Sequence, residues 1–182
     1  MKSYVVQVDN HDKGFHEAIA EAKNLAHNCG LDERHTLELQ LMMEEMLSLV
    51  RSVTGQMDGD IWIECENGLF ELHLVTERIL DQEMRREIIS ASTSNQNEAA
   101  NSFLGRLRDA LEQAMASAVT RSSDSSEEVP SDFAWHEEDA EWDRYEDSVL
   151  RKLADEVKID IRGTKVHMTV LKRFWVYTSV KE

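Results

Sequence analysis

The residues whose types could do acid or base chemistry lie together between Leu39 and Val53, where Glu44 stands beside Glu45. A carboxylate pair can move protons, but adjacent residues on a helix diverge by about 100° and do not face one another. Glu44 is therefore the one candidate general base. The seven histidines are scattered: His11, His16 and His27 fall near one helix with no HExxH spacing. His136 is followed by Glu137, Glu138 and Asp139, a run that could hold a hard cation only loosely. Cys29 and Cys65 have no CxxC spacing and read as two apolar thiols, not as a disulfide framework or zinc site. No G-x-S-x-G, Walker loop or G-x-G-x-x-G is present, so no metal or nucleotide site is announced by a local motif.

A second chemical signature is charge. The segment Ser122 to Asp147 carries eleven acidic residues against Arg144 alone, a net of -10 out of -16 for the whole chain. It also holds the single proline, Pro130, and interleaves Phe133, Trp135, Trp142 and Tyr145 with the acids. This composition predicts an acidic connector over 122 to 147, with two uses open to its aromatics: tucking back onto the domain or docking on a basic partner groove. The overall balance opposes nucleic acid and anionic membrane surfaces as partners. No run of about 18 apolar residues occurs and the first residues lack a signal-peptide pattern, so a cytoplasmic protein is expected.

The elements that must position these groups follow from periodicity. The 182 residues suit a single domain, 1 to 182. Tyr4 to Val8 alternates as a strand, and helices are predicted over 14 to 29, ending at Gly30, and over 33 to 53, capped by Asp32. On the second helix Leu39, Met42, Met43, Met46, Leu49, Val50 and Val53 make the core stripe. Leu37, Leu41, Glu44, Ser48, Arg51 and Ser52 collect on the opposite side, and its two leucines suggest that something covers it. Residues 60 to 66 and 69 to 75 form a hairpin about Asn67-Gly68, with Ile61, Ile63, Cys65, Phe70, Leu72 and Leu74 inward. A helical insertion over 79 to 121 contains Ile79 to Ala91 and Glu98 to Val119, the latter aligning Phe103, Leu107, Leu111, Ala114 and Ala118. A helix over Val149 to Val157 precedes a last hairpin, 158 to 162 and 165 to 173, turning at Arg162-Gly163. The expected class is α+β: a two-layer α/β sandwich, a mixed sheet with helices on one face, plus the insertion.

This order, with LQLMMEEMLSLVRSVTG, IECENGLFELHLVTER and SVLRKLADEVKIDIRGTKVHMTVLKRF, resembles the histidine-kinase-like (GHKL) ATPase superfamily, and within it the bacterial anti-sigma factor serine-protein kinases. The likeness covers roughly residues 1 to 78 and 144 to 174. It implies an ATP–Mg²⁺ site built from a helix Glu with an Asn four residues on, a D-x-G at a strand end and a phosphate-cradling G-x-G. Glu44 matches the acid, but Ser48 takes the Asn position and Ser52 a frequent His position. Thr76, Glu77 and Arg78 replace D-x-G, and Arg144, Tyr145 and Glu146 replace G-x-G. Each change removes a function: a serine is too short to replace the amide ligand of Mg²⁺, Arg78 fills a place where backbone approaches ligand, and acids crowd a phosphate turn.

The resemblance thus implies a non-catalytic bacterial regulator with a degenerate nucleotide site, acting by protein binding and needing no cofactor. Its partner would be a sigma factor, an antagonist or another regulator, with homodimerisation through the helical insertion open. The alternative is an active serine kinase that uses ATP and Mg²⁺, with Glu44 as base and Ser48, Ser52, Thr76, Glu77, Arg144 and Glu146 around the nucleotide.

Overall fold

The computed structural model describes residues 1–9, 14–55, 58–100 and 149–175. Its elements are β1 (Val6–Val8), α1 (Phe15–Asn28), α2 (Glu33–Thr54), β2 (Gly59–Glu66), β3 (Leu69–Glu77), α3 (Gln82–Ser90), a 3₁₀ turn at Glu98–Ala100, β4 (Glu156–Arg162) and β5 (Lys165–Arg173). Residues 149–153 are helical and lead into β4.

Local chemistry explains where the two long helices begin and end. Gly30, at φ 79°, closes α1: its N–H donates to the His27 carbonyl and that of Leu31 to the Ala26 carbonyl, the two bonds of a Schellman motif. Asp32 then caps α2 by accepting the His35 N–H at 2.8 Å. α1 buries Ala18, Ala22, Leu25 and Ala26, three of them small enough to let its backbone approach α2 closely. α2 buries Leu39, Met42, Met43, Met46, Val50 and Val53 as the stripe requires; Leu47 is also fully buried, and Leu49 only half-buried.

The five strands make one sheet in the order β1-β2-β3-β5-β4, and every adjacent pair is antiparallel. The expected mixed sheet is thus corrected, for a topological reason. A single helix between neighbouring strands makes two reversals and a parallel pair, whereas the two helices between β1 and β2 make three and bring β2 back antiparallel. Asn67 and Gly68, with φ of 50° and 78°, form the two-residue turn between β2 and β3. The last hairpin turns at Gly163-Thr164, not Arg162-Gly163, because Arg162 still pairs with Lys165. Gly163, at φ 62°, takes the first turn position.

Three further boundaries differ. Regular pairing of β1 begins at Val6: Lys2 bridges Glu64 while Val6 pairs with Ile61, so the first strand carries one residue more than β2 and bulges at Tyr4-Val5. α3 starts at Gln82, where Asp81 accepts the Met84 N–H at 2.8 Å. Glu156 and Val157 are strand rather than helix, because Lys172 draws the Leu153 carbonyl and the Asp155 carboxylate takes the Arg173 N–H, committing this segment to β5.

Alternate residues of β2, β3, β4 and β5 join the buried face of α1 and α2 in one apolar cluster containing Ile61, Ile63, Phe70, Leu72, Leu74, Ile159, Ile161, Met168 and Val170. The helix expected beyond Ala100, the acidic connector expected over 122 to 147, and Arg144 and Glu146 lie outside the described residues.

Candidate functional site

The described residues singled out from sequence fall in two places. Glu44, Ser48 and Ser52 are exposed on α2, and the Ser52 hydroxyl donates to the carbonyl of Leu49 at 2.9 Å. Leu37 and Leu41 stand on the same side at 60% and 39% exposure, so this face is open instead of covered by any described element. Thr76 and Glu77 are elsewhere, at the end of β3. They line an open groove of about 930 Å³ whose other walls include Tyr4 to Asp9, Glu17, Asp58 to Asp60 and Lys165.

That groove has a definite electrostatic character. Among the described residues its lining includes the carboxylates of Asp9, Glu17, Asp58, Asp60 and Glu77 and the ammonium of Lys165. The buried Thr76 hydroxyl is engaged, donating to the Asp58 carbonyl at 2.6 Å. Backbones touch here: a Cβ on Gly59 would lie 2.5 Å from the Val75 carbonyl oxygen. Arg78, just past the end of β3, donates its backbone N–H to the Thr164 carbonyl at 2.5 Å.

A different cluster lies on the sheet face turned away from the apolar cluster. Trp62 pairs with His73 across β2 and β3, and His73 with Thr169 across β3 and β5. The Trp62 ring stacks on His73 with centroids 4.9 Å apart at 16°, and its Nε1–H donates to Glu64 at 3.0 Å. Lys2 pairs with Glu64 at 2.9 Å and places its ammonium 5.0 Å from the Trp62 ring centre. His73 Nδ1 lies 3.3 Å from His167 Nε2, and Thr169 Oγ1 lies 3.3 and 3.4 Å from those two nitrogens. Burial pushes the His73 imidazole down to about 4, helped by His167 and opposed by Glu64. Burial lowers His167 as well, against the pull of Asp160.

No sequence pattern announces this cluster. Each histidine sits at an outward-facing strand position, but His73 and His167 meet only because β3 pairs with β5, a long-range choice that no local spacing encodes. Among the described residues no group of three or more His, Cys, Asp or Glu gathers as a metal site. Cys29 and Cys65 are free thiols, the first half-buried at the end of α1 and the second buried in β2. Burial and the neighbouring Cys29 push the Cys65 thiol up to about 12, which makes it a weak nucleophile. No described helix is long and apolar enough to cross a membrane. Comparison with known proteins finds no matching family profile, curated protein or solved structure.

Proposed function

We propose that this chain is a non-catalytic bacterial regulatory protein of the histidine-kinase-like ATPase fold, cytoplasmic and acting by protein binding. In this reading the antiparallel sheet and the pair α1 and α2 form a two-layer sandwich, and the nucleotide site is lost, since Glu44, Ser48 and Ser52 on α2 are no part of the groove lined by Thr76 and Glu77. The observation that carries it is the groove at Thr76 and Glu77, whose described lining holds more carboxylates than cations, Glu17, Asp58, Asp60 and Glu77 among them. A triphosphate brought there meets like charge on most sides, and the Thr76 hydroxyl is already spent on a backbone carbonyl.

Partner binding is supported by the open side of α2. Leu37, Leu41, Glu44 and Ser48 follow one another at helical spacing and are all exposed, a strip with two large apolar side chains beside an acid. A partner helix or groove of mixed apolar and basic character fits it, and a sigma factor, an antagonist or another regulator is the class the sequence resemblance suggests.

Calorimetric titration with ATP–Mg²⁺ tests the reading. The expected result is a Kd no tighter than about 1 mM, or ~4 kcal/mol of binding free energy. Micromolar binding would overturn the degenerate-site reading, and in the kinase alternative Glu44→Ala should then abolish phosphate transfer with binding nearly unchanged.

A further inference from the structure

His73 Nδ1, His167 Nε2 and Thr169 Oγ1 form a nearly equilateral triangle with edges of 3.3, 3.3 and 3.4 Å. Two nitrogens held by one tetrahedral ion at ~2.0–2.1 Å stand about 3.3–3.4 Å apart, so the two imidazoles already have the separation of a ligand pair. The far nitrogen of His73 adds a second observation. His73 Nε2 is buried without a hydrogen-bond partner, and Glu71 Oε2 lies 3.6 Å from it. A lone pair at Nε2 would face that carboxylate unfavourably, so the proton belongs on Nε2. Nδ1 then presents its lone pair to the gap shared with His167. A carboxylate behind an imidazole, with the opposite nitrogen left to ligate, is the usual support of a metal-bound histidine. Asp160, the register partner of His167 on β4, is instead held by the Arg162 guanidinium at 2.8 and 2.9 Å, so the carboxylate support is on the His73 side.

We infer that His73 and His167 form a two-histidine site for a divalent transition metal of the imidazole-binding class, Zn²⁺ foremost, with Thr169 holding a metal-bound water. Imidazole nitrogens select Zn²⁺, Cu²⁺ and Ni²⁺ over Mg²⁺ and Ca²⁺, which prefer carboxylate, carbonyl and water oxygens. The pair is pre-organised because β3 and β5 are interior strands, each flanked on both sides, and the Trp62 ring packs against His73. With two protein nitrogens the ion keeps solvent positions and exchanges readily. The site is independent of the nucleotide reading, since it shares no residue with the groove at Thr76.

Titrating the metal-free full chain with Zn²⁺ alone tests this by calorimetry, with X-ray absorption at the zinc edge identifying the ligands. The expected result is one saturable site per chain with two imidazole nitrogens, insensitive to millimolar Mg²⁺. His167→Gln should weaken it by more than about tenfold. His167 is half-buried, so its replacement leaves the core untouched; Thr169→Val serves as a second folded variant, weakening the site by less. Absence of saturable Zn²⁺ binding, a zinc shell with fewer than two imidazoles, or affinity unchanged by His167→Gln would each overturn the assignment.

Discussion

His73 is where burial and charge conflict most directly. The residue is 9% exposed, its ring sandwiched between Trp62 on β2 and His167 and Thr169 on β5, with Glu64, Glu71 and Lys2 around it. In the unfolded chain an imidazole titrates near ~6.5, whereas the folded value is pushed down to about 4. Above ~6.5 both states are neutral and the full stability is present. Between there and pH 4 the unfolded chain takes up a proton that the folded one resists, so stability falls with pH and levels once the folded ring is also charged. His167 shifts in the same direction and adds to the loss. Denaturant unfolding of the metal-free protein at pH 7.5 and pH 4.5 should show about 1–3 kcal/mol more loss for the parent than for His73→Gln. Equal slopes for the two proteins would mean that His73 carries no such linkage. Residues whose meaning is local were legible in sequence: Asp32 as a cap, Gly30 as a stop, Asn67-Gly68 as a turn. His73 was not, because its environment is made by a strand that follows 94 residues later.

Elements raise the problem of the sheet's edges. The outer edge of β4 is closed by the segment after α3, which imitates a strand without being one. Asn97 donates its side-chain amide to the Ile161 carbonyl at 3.1 Å and accepts the Ile161 N–H at 2.8 Å. Thr93 does the same work at Val157, its N–H reaching the carbonyl at 2.9 Å and its hydroxyl accepting the N–H at 2.7 Å. An uncovered edge invites pairing with other chains, so this cover has a function in solubility as well as stability. Asn97→Ala strips both partners from a buried β4 residue and should cost about 1–3 kcal/mol, with aggregation rising on partial unfolding. Equilibrium melts with light scattering check it, and a variant as stable and soluble as the parent would show the cover to be incidental. No pattern of hydrophobicity marks such a segment, which is why the sequence foretold only a helical insertion there. The reverse holds for Met46 and Leu72, assigned to the core by helical and strand periods and found fully buried. Truncating either to Ala should cost about 2–5 kcal/mol by the same melts, since neither site can collapse around the missing atoms without shifting α2 or the sheet.

At the scale of the whole molecule, charge and core are separated along the chain. The described apolar cluster draws on α1, α2, the sheet, Leu80, α3, Leu150 and Phe174. The segment from Ser122 to Asp147 contributes -10 of the total -16. Like charges gathered in one stretch repel one another in any compact arrangement, and the repulsion grows as salt is removed. Deleting Glu127 to Asp143 removes eight acidic residues and no basic one, halving the formal charge while sparing every residue of that cluster. The shortened chain should keep a cooperative melt and its circular dichroism. Its stability should also depend less on salt than the parent's, because the charge that screening relieves is gone. Loss of cooperative unfolding on deletion would mean that Phe133, Trp135 or Trp142 is integral to the fold. An unchanged salt dependence would mean that the repulsion resides in the sheet domain, where the acids of the Thr76 groove would be its source.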